Sequence, residues 1–314
     1  MKQAILFPGQ GSQAVGMGKE LYDAFPSTRQ IFEELDDTLS QKLSALIFGG
    51  PADQLMLTEN TQPALVAVSM AVLKVMQEAG ADISGFSYAA GHSLGEYAAL
   101  CAGNVMSFAD TVRALKQRGL AMQKAVPVGH GGMVALIGAS LEQAEDIARH
   151  ASAHGVCEVA NDNCPGQIVL SGELKALEHL PAIAETFSLR KVIPLSVSAP
   201  FHSSLMGPAA HTMEGVLNEI YFNKSVLPIV PNVTVVPETT GDILRNLLVR
   251  QITGRVRWTE TIQKLHSLGV ERFVEVGSGK VLSGLVKRIL PTVEIVSVHT
   301  PQDVEAFMAL PALK

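Results

Sequence analysis

The heptapeptide Gly91–Tyr97, GHSLGEY, places a serine hydroxyl between two glycines, and this pattern could support acyl-transfer chemistry. An apolar stretch, Phe86–Ala90, precedes it, and a helix-like run follows it. A G-x-S-x-G turn between a strand and a helix is typical of a nucleophile elbow, in which helix N–H groups point toward the hydroxyl. Ser93 is therefore the candidate nucleophile, and the N–H of Leu94 is a candidate donor to an oxyanion. A chance match in an ordinary turn is the alternative.

A serine hydroxyl is a weak nucleophile at neutral pH and needs a base, typically histidine, within hydrogen-bonding distance. His92 is adjacent to the serine, but neighbouring side chains on a turn diverge, so we expect it to pack or to support the loop. His202 lies in SAPFHSSLM, an irregular loop directly after a predicted strand. Its position and chain order make His202 the favoured base.

Many hydrolases with this elbow have an acidic residue between the serine and the histidine. Asp110 and Asp146 lie in helical patterns, and the setting of Asp162, ANDNCPGQ, is typical of a turn. None of the three is therefore a favoured acidic third member.

The glycine-rich segment Phe7–Gly18, FPGQGSQAVGMG, follows a predicted strand and contains G-x-G-x-x-A, which alone could be a dinucleotide fingerprint. Gly16 and Gly18 would break the helix that should follow, and the nearby acidic residues fall in the helical pattern IFEELDD. The other interpretation is that this loop lies beside the serine. Gln10 would then supply the second oxyanion donor.

The elements that must position these residues follow an α/β pattern, in which short buried strands alternate with helices. A helix is predicted over Thr61–Gly80, with Thr61 as its cap and Pro63 in its first turn. Further elements are predicted as strands at Ala4–Phe7, Phe86–Gly91, Gly269–Gly279 and Val293–Val298 and a helix at Phe108–Val126.

Residues 127–197 have a different pattern, βαββαβ, which is that of a ferredoxin-like unit. Its first helix has Ser140 as cap and Gln143 three residues later, its second helix spans Glu173–Phe187, and its closing strand spans Arg190–Ser198. We predict a ferredoxin-like subdomain at 127–197, inserted into an α/β domain formed by residues 1–126 and 198–314.

Composition bounds the class of protein. The 314 residues are 47% hydrophobic and 17% charged, which predicts a sizeable buried core, and the net charge of −6 argues against nucleic acid as a partner. The three cysteines are widely spaced and lack a CxxC pair, which indicates reduced thiols and not a disulfide frame or a metal site. No signal-peptide pattern or membrane-length apolar run occurs. We expect a cytoplasmic protein that acts as a monomer without a membrane partner.

Several motifs occur in order over essentially the whole chain: GQGSQ (Gly9–Gln13), TQPA (Thr61–Ala64), GHSLGEY, NDNCPGQIVLSG (Asn161–Gly172), APFH (Ala199–His202) and VEVGSGKVLSGL (Val274–Leu285). Together they resemble the malonyl-CoA:acyl carrier protein transacylase family. This resemblance implies a hydrolase-like α/β core with a parallel sheet, plus the ferredoxin-like insert. It implies malonyl transfer from malonyl-CoA to the phosphopantetheine thiol of holo acyl carrier protein, through a malonyl-serine, in fatty acid biosynthesis and without a cofactor or metal.

The same resemblance implies the catalytic roles. Ser93 would be the nucleophile and His202 the general base and acid, while the main-chain carbonyl of Gln251 orients the histidine. Gln10 and Leu94 would donate their backbone N–H groups to the oxyanion.

Arg118 would bind the free malonyl carboxylate. On a helical projection it lies on the flank of an apolar face, where a surface arginine is the alternative. The resemblance also implies substrate-binding positions for Gln62, Met122, Phe201 and Asn161, and Phe201 matches the form associated with malonyl over methylmalonyl groups. The loop GHGGM departs from the acidic loop usual in the family, so His130 inherits no role.

Carrier proteins of this pathway are acidic, so Arg190, Lys191, Lys287 and Arg288 form a hypothetical docking patch on a chain that is itself net negative. A serine thioesterase or esterase is the main alternative, with water as the acceptor. Transacylases of polyketide synthesis or malonate decarboxylation are closer alternatives, and a scaffold with a relic site is the non-enzymatic one.

Overall fold

Strands and helices alternate along the chain, in agreement with the predicted α/β class. The computed structural model describes residues 2–187, 189, 191–197 and 199–310. Before the predicted insert, the elements are β1 (Lys2–Phe7), α1 (Lys19–Ala24), α2 (Pro26–Leu39), α3 (Leu43–Gly49), α4 (Ala52–Leu55), α5 (Thr58–Glu78), β2 (Tyr88–Gly91), α6 (Gly95–Ala102) and α7 (Phe108–Lys124).

The rest of the chain adds a group of antiparallel strands and then returns to α/β alternation. The elements are β3 (Gly131–Ile137), α8 (Leu141–Ala151), β4 (Cys157–Cys164), β5 (Gln167–Glu173), α9 (Leu174–Leu177), α10 (Leu180–Glu185), β6 (Lys191–Pro194), α11 (Gly207–Asn218), α12 (Gly241–Thr253), β7 (Val256–Arg257), α13 (Trp258–Ser267), β8 (Val270–Val276), α14 (Val281–Ile289), β9 (Glu294–Val298) and α15 (Pro301–Met308).

A four-stranded parallel sheet in the order β2-β1-β8-β9 forms the core of the larger part of the molecule, as predicted. The last residues of β1 and β2, Phe7 and Gly91, are paired in register. The loops that follow two neighbouring parallel strands emerge at the same edge of a sheet. The segments GQGSQ and GHSLGEY are therefore brought together although they are far apart in sequence.

A second sheet has the order β6-β3-β5-β4-β7, and its first four strands are antiparallel with ferredoxin-like connectivity. Helices α8, α9 and α10 pack a separate apolar cluster against it. At the other edge, β7 pairs in parallel with β4, where Asn161 lies opposite Val256. Backbone hydrogen bonds therefore tie this sheet to chain beyond residue 197, and the division into residues 127–197 and two flanks stays a prediction.

Several predicted boundaries were wrong, and the local chemistry explains why. Helix α5 begins at Thr58, so Thr61 is not its cap; the Thr61 hydroxyl instead donates to the carbonyl of Leu55. Pro63 lies inside the helix and not in its first turn. Asp162 is part of β4 and not of a turn, and its carboxylate accepts a hydrogen bond from Thr259.

The predicted helix Glu173–Phe187 is two short helices, α9 and α10. Proline has no N–H, and its ring collides with the carbonyl four residues earlier. The break follows Leu177, four residues before Pro181, and the proline then lies in the first turn of α10, where it is tolerated. The capping box of Ser140 and Gln143 on α8 is confirmed. In the predicted closing strand, Arg190 and Ser198 lie outside the described residues.

Candidate active site

Ser93 lies in the turn between β2 and α6 with a left-handed φ of 52°. The flanking glycines allow this turn, because a Cβ on Gly91 would lie 1.9 Å from the carbonyl carbon of Gly95. A Cβ on Gly95 would lie 2.2 Å from the carbonyl oxygen of Phe7. Only hydrogen fits at these two positions, so the glycines of the motif are required by close packing of the elbow.

Asn232 holds the elbow from a loop that the sequence analysis did not single out. Its Oδ1 accepts a hydrogen bond from the N–H of Ser93 at 2.8 Å, and its Nδ2 donates to the carbonyl of Gly91 at 2.7 Å. A non-glycine residue with positive φ is strained by about 1–3 kcal/mol and persists when its surroundings fix it. The two hydrogen bonds of Asn232 are such a constraint.

Ser93 and His202 are in direct contact, with 2.7 Å between Oγ and Nε2. The other ring nitrogen, Nδ1, lies 2.9 Å from the carbonyl oxygen of Gln251. A carbonyl oxygen can only accept, so Nδ1 carries the proton in the neutral ring and Nε2 presents its lone pair to the serine hydroxyl. This is the tautomer that a general base requires.

The environment keeps His202 neutral. Its side chain is buried, and burial together with the positive charge of Arg118 lowers the pKa of His202 from 6.5 to about 3, against the opposing hydrogen bond to Gln251. A neutral imidazole is thus the dominant form at physiological pH, so Nε2 is free of a proton, although the same burial and positive charge disfavour the imidazolium.

The two predicted oxyanion donors flank the elbow. A Cβ on Gly9 would lie 2.6 Å from the carbonyl oxygen of His92, so the GQGSQ loop packs directly on the serine turn. The Ser278 hydroxyl donates to the carbonyl of Ser12 at 2.7 Å and ties this loop to the one after β8. Gln10 and Leu94 both line the cavity that contains the Ser93 hydroxyl.

Arg118 is buried, at 1% exposure, and its guanidinium is aimed at the serine. Nη2 lies 3.2 Å from the Ser93 Oγ and 2.9 Å from Gln251 Oε1, and Nη1 donates to Gln62 Oε1 at 2.8 Å. Burial lowers the pKa of Arg118, while the nearby Tyr97 and Glu96 oppose that shift. An arginine remains charged under such conditions. The surface alternative for Arg118 is excluded.

One cavity of about 160 Å³ collects the predicted side chains, apart from Gln251, which lies behind them. The rest of its lining is mostly apolar, with His92 and Asn163 as further polar groups. A compact site with a few convergent polar groups is typical of small-ligand binding. The predicted residues that line it are Gln10, Gln62, Ser93, Leu94, Arg118, Met122, Asn161, Phe201 and His202.

A larger cavity of about 390 Å³ adjoins the first and shares Gln10, His92 and Asn163 with it. Nε2 of His92 lies 2.8 Å from Oδ1 of Asn163, so His92 supports the wall between the elbow and β4, as expected. Burial lowers the pKa of His92, although the hydrogen bond to Asn163 opposes this shift. Asn163 was not among the predicted site residues, although the motif NDNCPGQ contains it.

Within the described residues, no three His, Cys, Asp or Glu side chains are placed to hold a metal ion. In the same part of the chain, no helix has the length and apolar character needed to cross a bilayer. The three cysteines are unpaired, and burial raises the pKa of Cys101 and of Cys157 to about 12, so neither is a reactive thiolate.

The chain is similar to known acyl transferases over nearly its whole length. Residues 5–302 match the family described as acyl transferase domain. The chain is 43% identical over 314 residues to the malonyl CoA-acyl carrier protein transacylase of Bacillus subtilis strain 168, covering 100% of this chain and 98% of that protein. An acyl-carrier-protein S-malonyltransferase structure from Bartonella henselae has a TM-score of 0.96 at 49% identity and 98% coverage of both chains. A malonyl-transacylase solved in complex with a type II polyketide acyl carrier protein has a TM-score of 0.95 at 39% identity, with 98% of this chain and 99% of that one covered.

Proposed function

Because the chain belongs to the acyl transferase family, we infer that it transfers the malonyl group of malonyl-CoA to the phosphopantetheine thiol of holo acyl carrier protein. The transfer is a step of fatty acid biosynthesis and proceeds through a malonyl-serine. The observation that carries this function is the placement of Ser93, His202 and Arg118 around one small cavity. A nucleophile, its base and a receptor for a carboxylate are thereby within reach of a single malonyl group.

The first half-reaction begins when Ser93 Oγ attacks the thioester carbonyl of malonyl-CoA and its proton moves to His202 Nε2. The resulting oxyanion faces the backbone N–H groups of Gln10 and Leu94. One such donor contributes about 10²–10³-fold to the rate. The C–S bond then breaks, and the CoA thiolate takes the proton from the imidazolium. A malonyl-serine ester and a neutral histidine remain.

The second half-reaction repeats these steps with a different nucleophile. The carrier-protein thiol gives its proton to His202 Nε2 and attacks the ester carbonyl. Collapse of the tetrahedral intermediate breaks the bond to Ser93, whose alkoxide recovers the proton. Proton transfer by a positioned base contributes about 10²–10⁴-fold. The carbonyl of Gln251, which accepts from Nδ1, keeps the ring in the required tautomer in both halves.

Arg118 supplies the selectivity for malonyl groups in this proposal. Its guanidinium donates hydrogen bonds to two neutral amide oxygens, those of Gln62 and Gln251. A substrate carboxylate is a stronger acceptor than an amide oxygen and can compete with them for the guanidinium. An acyl group without a carboxylate leaves this buried cation without an anionic partner in the cavity. Met122, Phe201 and Asn161 shape the remaining wall of the cavity.

The experiment that tests this function follows intact mass during two successive incubations. Malonyl-CoA alone is expected to add one malonyl group to the protein. When holo acyl carrier protein is then added, the protein should lose this malonyl group and the carrier protein should gain it. Release of free malonate without malonylated carrier protein would indicate the thioesterase alternative. Parallel reactions with fatty-acid and polyketide carrier proteins identify the preferred acceptor. The cytoplasmic location, the monomeric state and the independence from cofactors remain predictions from the sequence.

A further inference from the structure

A buried carboxylate lies directly behind the site. Glu96 follows Ser93 by three residues in the first turn of α6, and its side chain has 0% exposure. Its Oε2 accepts the N–H of Asn232 and the Nε2 of Gln251, both at 2.8 Å. Its Oε1 has no hydrogen-bond partner within the part of the chain that the structure describes. The proposed reaction gives this residue no role.

The two partners of Glu96 are the residues that position the reacting groups. Gln251 donates from Nε2 to the carbonyl of Ser93 at 3.0 Å and accepts from Arg118 through Oε1 at 2.9 Å. Its main-chain carbonyl accepts from His202. Asn232 accepts the N–H of Ser93. The carboxylate of Glu96 is thus one hydrogen bond away from groups that touch the nucleophile, the base and the guanidinium.

The charge of Glu96 also acts on the site. Arg118 is a buried cation, and a buried charge is costly unless an opposite charge compensates it. Arg118 and Glu96 favour each other's charged forms, and Tyr97, which follows Glu96 on α6, also lies within their field. Before substrate arrives, Glu96 is therefore the counter-charge of Arg118 inside the protein.

We propose that Glu96 is a positioning residue whose ionised carboxylate fixes Gln251 and Asn232 and tunes the field of Arg118. The proposal rests on the proposed function. During the reaction, the imidazolium of His202 forms beside Arg118, and a nearby negative charge offsets that repulsion. The same negative charge weakens the pull of Arg118 on the substrate carboxylate. Ionised Glu96 should therefore raise both kcat and KM.

The dependence of the Glu96 charge on pH provides a second test of its role. Burial raises the pKa of Glu96 from 4.5 to about 7, although the hydrogen bonds from Asn232 and Gln251 and the charge of Arg118 oppose the shift. At pH 8 the carboxylate is mostly ionised and at pH 6 it is mostly protonated. A substitution that removes only the charge should therefore matter at pH 8 and matter little at pH 6.

The test compares Glu96→Gln with the wild type in single-turnover malonylation of Ser93 by malonyl-pantetheine, which carries no phosphate. Here kcat and KM denote the limiting rate constant and the half-saturation concentration of this half-reaction. Glutamine can accept both hydrogen bonds through one oxygen while removing the charge. At pH 8 we expect kcat and KM of the variant to fall together, each by roughly tenfold, the scale of one unit charge acting over several ångströms at an effective dielectric of about 20. At pH 6 both constants should lie within about twofold of wild type. Glu33→Gln, an exposed carboxylate on α2, is the control and should change neither.

A folded Glu96→Gln protein with wild-type constants at pH 8 would overturn the proposal, as would an equal loss at both pH values. The wild type alone provides a test that does not depend on the variant, since its kcat and KM should both rise between pH 6 and pH 8. A wild-type KM that stays constant over this range would refute the role of the charge even if the variant fails to fold. Absence of malonylation in the wild type would instead refute the proposed function, and this inference with it.

Discussion

Ser93 and His202 are 109 residues apart in the chain, and both have left-handed φ values, 52° and 57°. Their side chains nevertheless meet at 2.7 Å. Two non-glycine residues in this region of backbone space indicate that surrounding contacts over-determine their conformations. The contacts are those of Asn232 to the elbow and of Gln251 to the ring. The serine–histidine pair is therefore preorganised before substrate binds.

Replacing the nucleophile tests the site most directly. We expect Ser93→Ala to form no malonyl adduct. Among the residues that the structure describes, no other hydroxyl in the cavity contacts His202. Intact mass after incubation with malonyl-CoA provides the measurement. Ser87→Ala, a change immediately before β2, should retain full adduct formation. A normal adduct yield on Ser93→Ala would show that another residue carries the acyl group.

Arg118→Ala should lose the preference for malonyl-CoA over acetyl-CoA. Charge-assisted hydrogen bonds contribute about 1.5–3 kcal/mol, so we expect selectivity in a competition assay to fall by roughly 10–150-fold. Arg118→Lys should recover only part of the selectivity, because an ammonium lacks the planar fork that matches a carboxylate. Arg113→Ala, an exposed change on the same helix, is the matched control. Unchanged selectivity in Arg118→Ala would exclude it as the receptor.

The opposite pKa shifts of Glu96 and His202 predict an unusual dependence of stability on pH. Folded Glu96 binds a proton that the unfolded chain releases between pH 4.5 and about 7, so its contribution falls as pH rises. Folded His202 excludes a proton that the unfolded chain binds between about pH 3 and 6.5, so its contribution rises with pH. Between pH 4.5 and 6.5 the two effects offset each other in the wild type.

Glu96→Gln removes the contribution of Glu96 to the pH dependence of stability and leaves that of His202. Relative to wild type, its free energy of unfolding should fall by about 1.4 kcal/mol for each pH unit below about 7, down to pH 4.5. Urea denaturation of both proteins at several pH values provides the difference, and Glu33→Gln serves as the control. A stability difference that is independent of pH would contradict the shift at Glu96.

The sequence was sufficient for elements whose signals are local. The elbow glycines, the capping box on α8 and the alternation of strands and helices all follow from short-range chemistry, and each was predicted. Pro181 also carried a local signal for a helix break, but the predicted helix Glu173–Phe187 ran through it. The structure shows that the missing N–H and the ring clash decide that segment.

Contacts between distant loops were not predictable in the same way. Asn232 reaches Ser93 across 139 residues, and nothing in its local sequence distinguishes it from a turn asparagine. Glu96 lies inside the recognised heptapeptide, yet its burial and its contact with Gln251, 155 residues away, depend on how α12 packs behind α6. Position in the fold, and not residue type, gives these two side chains their roles.

The hypothetical docking patch for carrier protein can now be placed in part. Lys191 on β6 and Gln167 on β5 both pair with Ile137 of β3, so they lie in one row at the same end of the second sheet. Arg288 donates to Gln167 Oε1 at 2.8 Å, which brings the end of α14 to this row. Lys287 is exposed beside it. Arg190 lies outside the described residues.

Charge reversal at the two exposed lysines tests this patch. We expect Lys191→Glu combined with Lys287→Glu to raise the KM for holo acyl carrier protein by roughly threefold to tenfold, since exposed ion pairs contribute about 0.2–1 kcal/mol each. The malonylation of Ser93 by malonyl-CoA should be unchanged, and 0.5 M salt should reduce the defect because it screens surface charges. Lys74→Glu combined with Lys224→Glu, at two exposed lysines outside the patch, controls for the change in net charge. Arg288 is not substituted, because reversing its charge would also break its contact with Gln167. An unchanged KM in the double variant would place the docking surface elsewhere.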